Sequence, residues 1–148
     1  SVSGMCAGFL SGLVAITPAC AFVSPASAAL IGAVAAPLCY FGVIFMRKRS
    51  GVDDALDVFG IHGIGGIWGA IATGIFASSA LTATPGLIEG GTDLFAGQLA
   101  AVGFTLVYCF VVSFVIMKAI SLLIRVRYTE DEELIGGDIA EHGESAYN

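Results

Sequence analysis

Residues 53–80 read DDALDVFGIHGIGGIWGAIATGIFASSA. Three aspartates open the stretch, and from Val58 onward it is apolar and glycine-rich. It stays so for the roughly 20 residues that a helix needs to cross a membrane core. The one ionisable side chain inside it is His62. A soluble helix of this length would carry a charged face, and this one has none. The stretch therefore reads as a membrane-spanning helix with a single titratable group near its start.

The rest of the chain agrees. Of 148 residues, 57% are hydrophobic and 12% charged, and the mean hydropathy is +0.91. Soluble domains carry about a quarter charged residues. Residues 1–46 contain no Asp, Glu, Lys, Arg or His. Four spans follow from the apolar runs: 1–17, 26–46, 58–80 and 94–124, with a polar tail at 125–148. The fold class is all-α integral membrane, with four transmembrane helices. The first run is short and lacks the basic n-region of a signal peptide. Residue 1 is not Met, and the run opens in mid-helix, which suggests a fragment.

The net charge of −6 sits mainly in the tail. No basic stripe exists, so nucleic acid is not expected as a partner. Arg47, Lys48 and Arg49 follow the second span, and Arg125 and Arg127 follow the fourth. Two spans separate these clusters, so both fall on one side, which the positive-inside rule makes cytoplasmic. The tail is then cytoplasmic, and Lys118 snorkels to the same interface. The connections at 18–25 and 78–93 carry no Lys or Arg and face outward.

Gly4, Gly8 and Gly12 form one small-residue ridge, Gly65 and Gly69 a second, and Gly66, Ala70 and Gly74 a third. Lipid offers no hydrophobic drive between helices, so such ridges matter because they permit close van der Waals approach. More neighbours than four helices are expected. Cys6, Cys20, Cys39 and Cys109 show no metal-ligand spacing and read as small buried hydrophobes. No metal or cofactor is expected.

His62 allows two readings. It is either a packed histidine bonded to a neighbouring helix carbonyl, or a residue lining a path. Intramembrane ionisable groups usually face a cavity or partner. A neutral imidazole offers one donor and one acceptor. Val58 lies one turn before His62 and shares its face. Trp68 reads as packing. Asp57, at the start of the third span, is suited to accept from free helix N–H groups; Asp53, Asp54 and Asp57 either attract cations at an inner mouth or, the preferred reading, cap the helix and pair with Arg47–Arg49.

Three segments carry a family resemblance: GLVAITPAC at 12–20, DDALDVFGIHGIGGIWGAIATGIFA at 53–77, and GDIAEHGESAY at 137–147. They resemble the ammonium transporter family (Amt/Mep/Rh), closer to its Amt/Mep branch, across essentially the whole chain. The family fold has eleven transmembrane helices and forms trimers with one pore per subunit; this chain is similar to helices eight to eleven plus the tail. The resemblance implies ammonium transport at the cell membrane, plasma or inner, and no enzymatic activity.

It makes His62 the second of two pore histidines, Val58 and Leu10 further lining positions, and Asp57 a structural acid. Ammonium is recruited outside, loses a proton and crosses as ammonia. The first pore histidine, the aromatic gate and the outer binding residues belong to helices this chain lacks, so it is not expected to conduct alone. The tail is implied to be regulatory, with Asp138, His142 and Tyr147 docked and Glu130–Glu133 solvated. Ala140 stands where some relatives carry a regulatory Thr. A PII-type signalling protein is an implied partner at the cytoplasmic face, with the lipid bilayer and two further subunits. The alternatives are an ammonium sensor acting through the tail and, more remotely, a haem-carrying helix pair.

Overall fold

The computed structural model describes residues 2–145. Helix α1 spans Val2–Ile16 and α2 spans Pro25–Phe45, the latter continued by a π-helical turn at Met46–Ser50. After a loop comes a second π-turn, Phe59–Gly63, that runs directly into α3, Ile64–Phe76. A 3-10 turn at Leu87–Glu89 precedes α4, Asp93–Ser121. The tail holds two short helices, α5 at Glu130–Ile135 and α6 at Gly137–His142. Three stretches are long and apolar enough to cross a membrane, Pro25–Ser50, Phe59–Phe76 and Asp93–Ser121, and α1 is a shorter apolar helix. The chain divides into two units, residues 1–105 and 106–148.

In the first unit the packing is made by small residues. Ala15, Ala19, Val23, Ile31, Ala35 and Ala72 form the buried core, with Trp68 and Phe76 packed against it. Gly69 lies under α1, where a Cβ would run into the Ala15 carbonyl and stand 2.9 Å from the Pro18 ring. A Cβ on Gly65 would stand 3.2 Å from Val14 Cγ1 and 3.3 Å from the Cys39 sulfur. The ridge of α3 is thus the seat of α1. By contrast, nothing among the described residues comes within 4 Å of a Cβ on Gly8, Gly12 or Gly66.

Helix ends follow local chemistry. Ser24 caps α2, its hydroxyl accepting from the Ser27 amide at 3.2 Å, and Pro25 fills the first helical position, where no N–H is needed. The second helix therefore starts one residue before the expected 26. Helix α3 stops at Phe76 rather than near Ala80. Ala77 turns to ψ 131°, bridges Val23, and the Ser78 amide donates to the Phe22 carbonyl at 2.9 Å. Those bonds compete with a further helical turn. Helix α4 gives way after Ser121 to a short hydrogen-bonded turn, where Leu122 and Leu123 bond three residues back. Its 29 residues run to roughly 44 Å at the helical rise.

The cysteine expectation needs correction. Cys39 is buried, but Cys6, Cys20 and Cys109 are exposed. An apolar thiol loses nothing by facing lipid, so apolar flanking sequence does not distinguish the core from the outer face of a membrane helix.

In the second unit the tail is ordered by charge. Thr129 and Glu132 form a reciprocal capping box at α5, the Thr129 amide donating to Glu132 at 2.7 Å. Arg125 pairs with Glu132 and Arg127 with Glu133, each at 2.8 Å. Glu132 and Glu133 are therefore not simply solvated, as expected from sequence, because two arginines stand within reach. The Thr129 backbone bond, then the Arg125 contact, holds the Glu132 carboxyl down at about 2, below the ordinary 4.5. A depressed folded value gives support that is complete above 4.5 and lost as pH falls toward 2. Carboxyl-carbon NMR of Glu132 is expected to titrate near 2. Combining Thr129→Pro, which removes the donating backbone N–H and the hydroxyl, with Arg125→Ala should return the midpoint toward 4.5. In the first unit Glu89 accepts from the Ser79 amide and from Ser78 Oγ, at 2.6 and 2.9 Å, which also lowers its pKa.

Candidate functional site

The loop between α2 and the second π-turn builds the site. The first N–H groups of a helix have no partner within it. Here the Asp54 carboxylate takes three of them: Val58 at 2.7 Å, Phe59 at 3.0 Å and Gly60 at 3.3 Å. The fourth, Ile61, donates to the Asp57 carbonyl at 2.9 Å. Every leading amide is thereby satisfied.

Asp57 was expected to be the helix cap, and it is not. Its φ of +55° places it in the left-handed region, which aspartate tolerates better than most residues. That turn swings its side chain toward α2, where Arg47 grips it through both oxygens at 2.8 and 2.5 Å. The pairing of this loop with the basic cluster is as expected; the capping falls to Asp54. Bidentate Arg–carboxylate pairs fix geometry as well as charge, so the bond ties the end of α2 to the loop before α3.

The π-turn that follows is held against α2. A Cβ on Gly60 would come within 2.9 Å of the Val43 Cα, and Cys39 Sγ contacts the Ile61 carbonyl at 3.6 Å. Gly60 and Ile61 are buried. With that face turned inward, Val58, Phe59 and His62 stand on the other face, all exposed. They border a hollow of about 390 Å³ together with Met46, Val52, Asp53 and Asp54. The wall is apolar apart from the imidazole and the carboxylates of the loop.

His62 is thus not bonded to a neighbouring carbonyl. Its side chain is exposed and has no hydrogen-bond partner among the described residues. Trp68 is the packed residue: half-buried, it donates from Nε1 to the Ile31 carbonyl at 3.0 Å. His62 and Val58 share one hollow, whereas Leu10, 39% exposed on α1, lies outside it. A separate groove of about 570 Å³ runs between α1 and α2, with Gly4, Gly8 and Ser11 on one side and Tyr40, Arg47 and Asp57 on the other. In the tail, Asp138 is half-buried and His142 exposed, and Tyr147 lies outside the described residues. No cluster that could hold a metal ion occurs among the described residues.

Sequence reasoning counted Asp54 among three capping aspartates without singling it out, and it missed the π-turn. The available signal was the doubled Asp53-Asp54, four residues ahead of the first helical amide; nothing in residue propensity announces a π-turn.

Comparison with known proteins bears on the whole chain. The Ammonium Transporter Family model matches residues 1–147. An ammonium transporter of Bacillus subtilis is 47% identical over 146 residues, covering 97% of this chain and 36% of that protein. An ammonium transporter of Aquifex aeolicus is 43% identical, covering 100% of this chain and 35% of that protein. Among solved structures, Candida albicans Mep2 matches with a TM-score of 0.82 at 33% identity, over 99% of this chain and 34% of that one. The chain thus spans about a third of the length of these relatives, which are named as transporters rather than enzymes. Apolar helices and relatives together make it part of a multi-pass membrane protein, and the chain belongs to the Ammonium Transporter Family.

Proposed function

We propose that the polypeptide carrying this sequence moves ammonium across a membrane, and that His62 and Val58 line the path near its inner end. The observation that carries this reading is the face of the π-turn. An otherwise uncharged span presents one imidazole and its apolar neighbours outward, while its glycine face is packed away. The relatives named as ammonium transporters supply the solute.

The chemistry selects the uncharged form. Taking a bare monovalent cation into an apolar medium costs tens of kcal/mol, whereas an unpaired neutral polar group costs about 2–7. Ammonium therefore gives up its proton to water on the outer side and enters as ammonia, which takes a proton from water on leaving. Within the path, a neutral imidazole offers ammonia one acceptor and one donor, which offsets part of the smaller cost. Potassium has no proton to lose and is excluded. Leu10 is proposed as a second lining position on α1, and Asp57 as a structural acid that locks the loop through Arg47.

The same reading places the polypeptide in the plasma or inner membrane as a trimer, with its C-terminus cytoplasmic. The charge-paired tail supports a regulatory role, with the region of Asp138, His142 and Tyr147 docked under neighbouring subunits and a PII-type signalling protein as a partner at the cytoplasmic face. The test is uptake of labelled methylammonium by cells expressing the polypeptide that carries this sequence. Uptake above the vector control, unaffected by excess potassium, is expected. Membrane-inserted protein that passes neither ammonium nor methylammonium, or that passes potassium equally well, overturns the proposal.

A further inference from the structure

We propose that Asp54 is a positioning residue for His62: by holding the first turn of the third span it fixes the π-turn on which the imidazole stands. The inference rests on the transport reading above and adds to it a residue that does not itself touch the solute.

A π-turn is the rarer and weaker helical form, and it persists where its surroundings hold it. Two constraints do so here. On the inner side, Gly60 lies flat against Val43 and the Ile61 carbonyl meets the Cys39 thiol. At the start, Asp54 holds the amides of Val58, Phe59 and Gly60, and the Asp57 amide returns to the Asp54 carbonyl at 3.0 Å. The wide turn closes with the Ile64 amide bonded to the Phe59 carbonyl, five residues back. Gly60 sets the depth of this segment, and Asp54 sets its rotation.

Loss of the Asp54 bonds leaves three adjacent amides without acceptors at the end of a span. The turn then relaxes toward the tighter α form, in which each residue advances about 100°. Gly60 remains wedged at Val43, so the side chains beyond it turn with the changed twist, and the imidazole shifts within the hollow while staying on the side of Val58. The Asp54 charge is not the agent, because its oxygens are occupied by backbone N–H groups. Asp53, its exposed neighbour, makes no such bonds and serves as the control for charge alone.

The test compares wild type with Asp54→Ala, Asp54→Asn, Asp53→Asn and His62→Ala in the full polypeptide carrying this sequence. The readout is the ratio of methylammonium uptake to potassium uptake, each corrected for the vector control and normalised to the amount of membrane-inserted protein. Asp54→Ala should lower the ratio by about tenfold, in the same direction as His62→Ala. Asp54→Asn keeps one acceptor oxygen and should fall between Asp54→Ala and wild type, while Asp53→Asn, which removes a charge at the hollow without freeing an amide, should lose less than Asp54→Asn. If Asp54→Ala fails to reach the membrane, Asp54→Asn alone must still show a loss, and a wild-type ratio there overturns the proposal. A loss in Asp53→Asn equal to that of the Asp54 variants also overturns it, in favour of charge at the hollow. A wild-type ratio in Asp54→Ala, with His62→Ala impaired, removes the positioning role and leaves the path intact. If His62→Ala also keeps the wild-type ratio, the transport path itself is misplaced.

Discussion

His62→Ala is expected to lower the discrimination between methylammonium and potassium by about tenfold, the effect of losing one hydrogen bond worth about 1–3 kcal/mol in a water-poor setting. The imidazole is the one group on the outward face of this span that can bond a small neutral amine. Alanine removes it and leaves space beside Val58 and Phe59 that water can enter. Water lowers the desolvation barrier for a hydrated cation, so potassium gains while the amine loses its partner. Both changes move the ratio the same way. The measurement is paired uptake of the two solutes into proteoliposomes at equal protein content. Unchanged uptake together with unchanged discrimination would place His62 off the path.

Gly69→Val is expected to prevent assembly of α1 against α3. The added atoms would meet the Ala15 carbonyl and the Pro18 ring, which are backbone and a rigid ring rather than the tip of a flexible chain. Neither yields unless the helices separate. Overpacking a tight contact costs about 1–3 kcal/mol, and membrane helices depend on close approach for their association. Gly65→Ala offers the contrast, since its new methyl meets the side chains of Val14 and Cys39 at 3.2 and 3.3 Å, which can shift by tenths of an ångström. Thermal unfolding of the detergent-solubilised protein should rank wild type above Gly65→Ala, with Gly69→Val lowest or absent from the folded fraction. Equal stability of Gly69→Val and wild type would mean that α1 does not rest on this ridge.

Much of the membrane architecture is legible because it is written in periodic and compositional terms. The uncharged run after Asp57 and the spacing of Gly65 and Gly69 are both visible in the sequence itself. What sequence left open depends on partners brought together by folding. Asp54 and Asp57 are three residues apart and chemically alike, and a left-handed turn at Asp57 decides that one caps and the other pairs with Arg47. The end of α3 at Phe76 reflects bonds from Ala77 and Ser78 to the α1–α2 connection, more than fifty residues earlier in the chain. The π-turn has no residue signature, since Gly60 takes part through its closeness to Val43 rather than through its helix propensity. Likewise the thiols of Cys6, Cys20 and Cys109 could have been core or periphery, because their flanks are apolar either way.

The claim on which the rest depends is that the face bearing Val58 and His62 borders the route of the solute. Chemical blocking at Val58 tests it most directly. In a background with Cys6, Cys20, Cys39 and Cys109 replaced by alanine, Val58→Cys is treated with a small thiol-specific reagent, and methylammonium uptake is followed as modification proceeds. The account predicts that uptake falls in step with modification and that ammonium slows the reaction. Complete modification with undiminished uptake would contradict it.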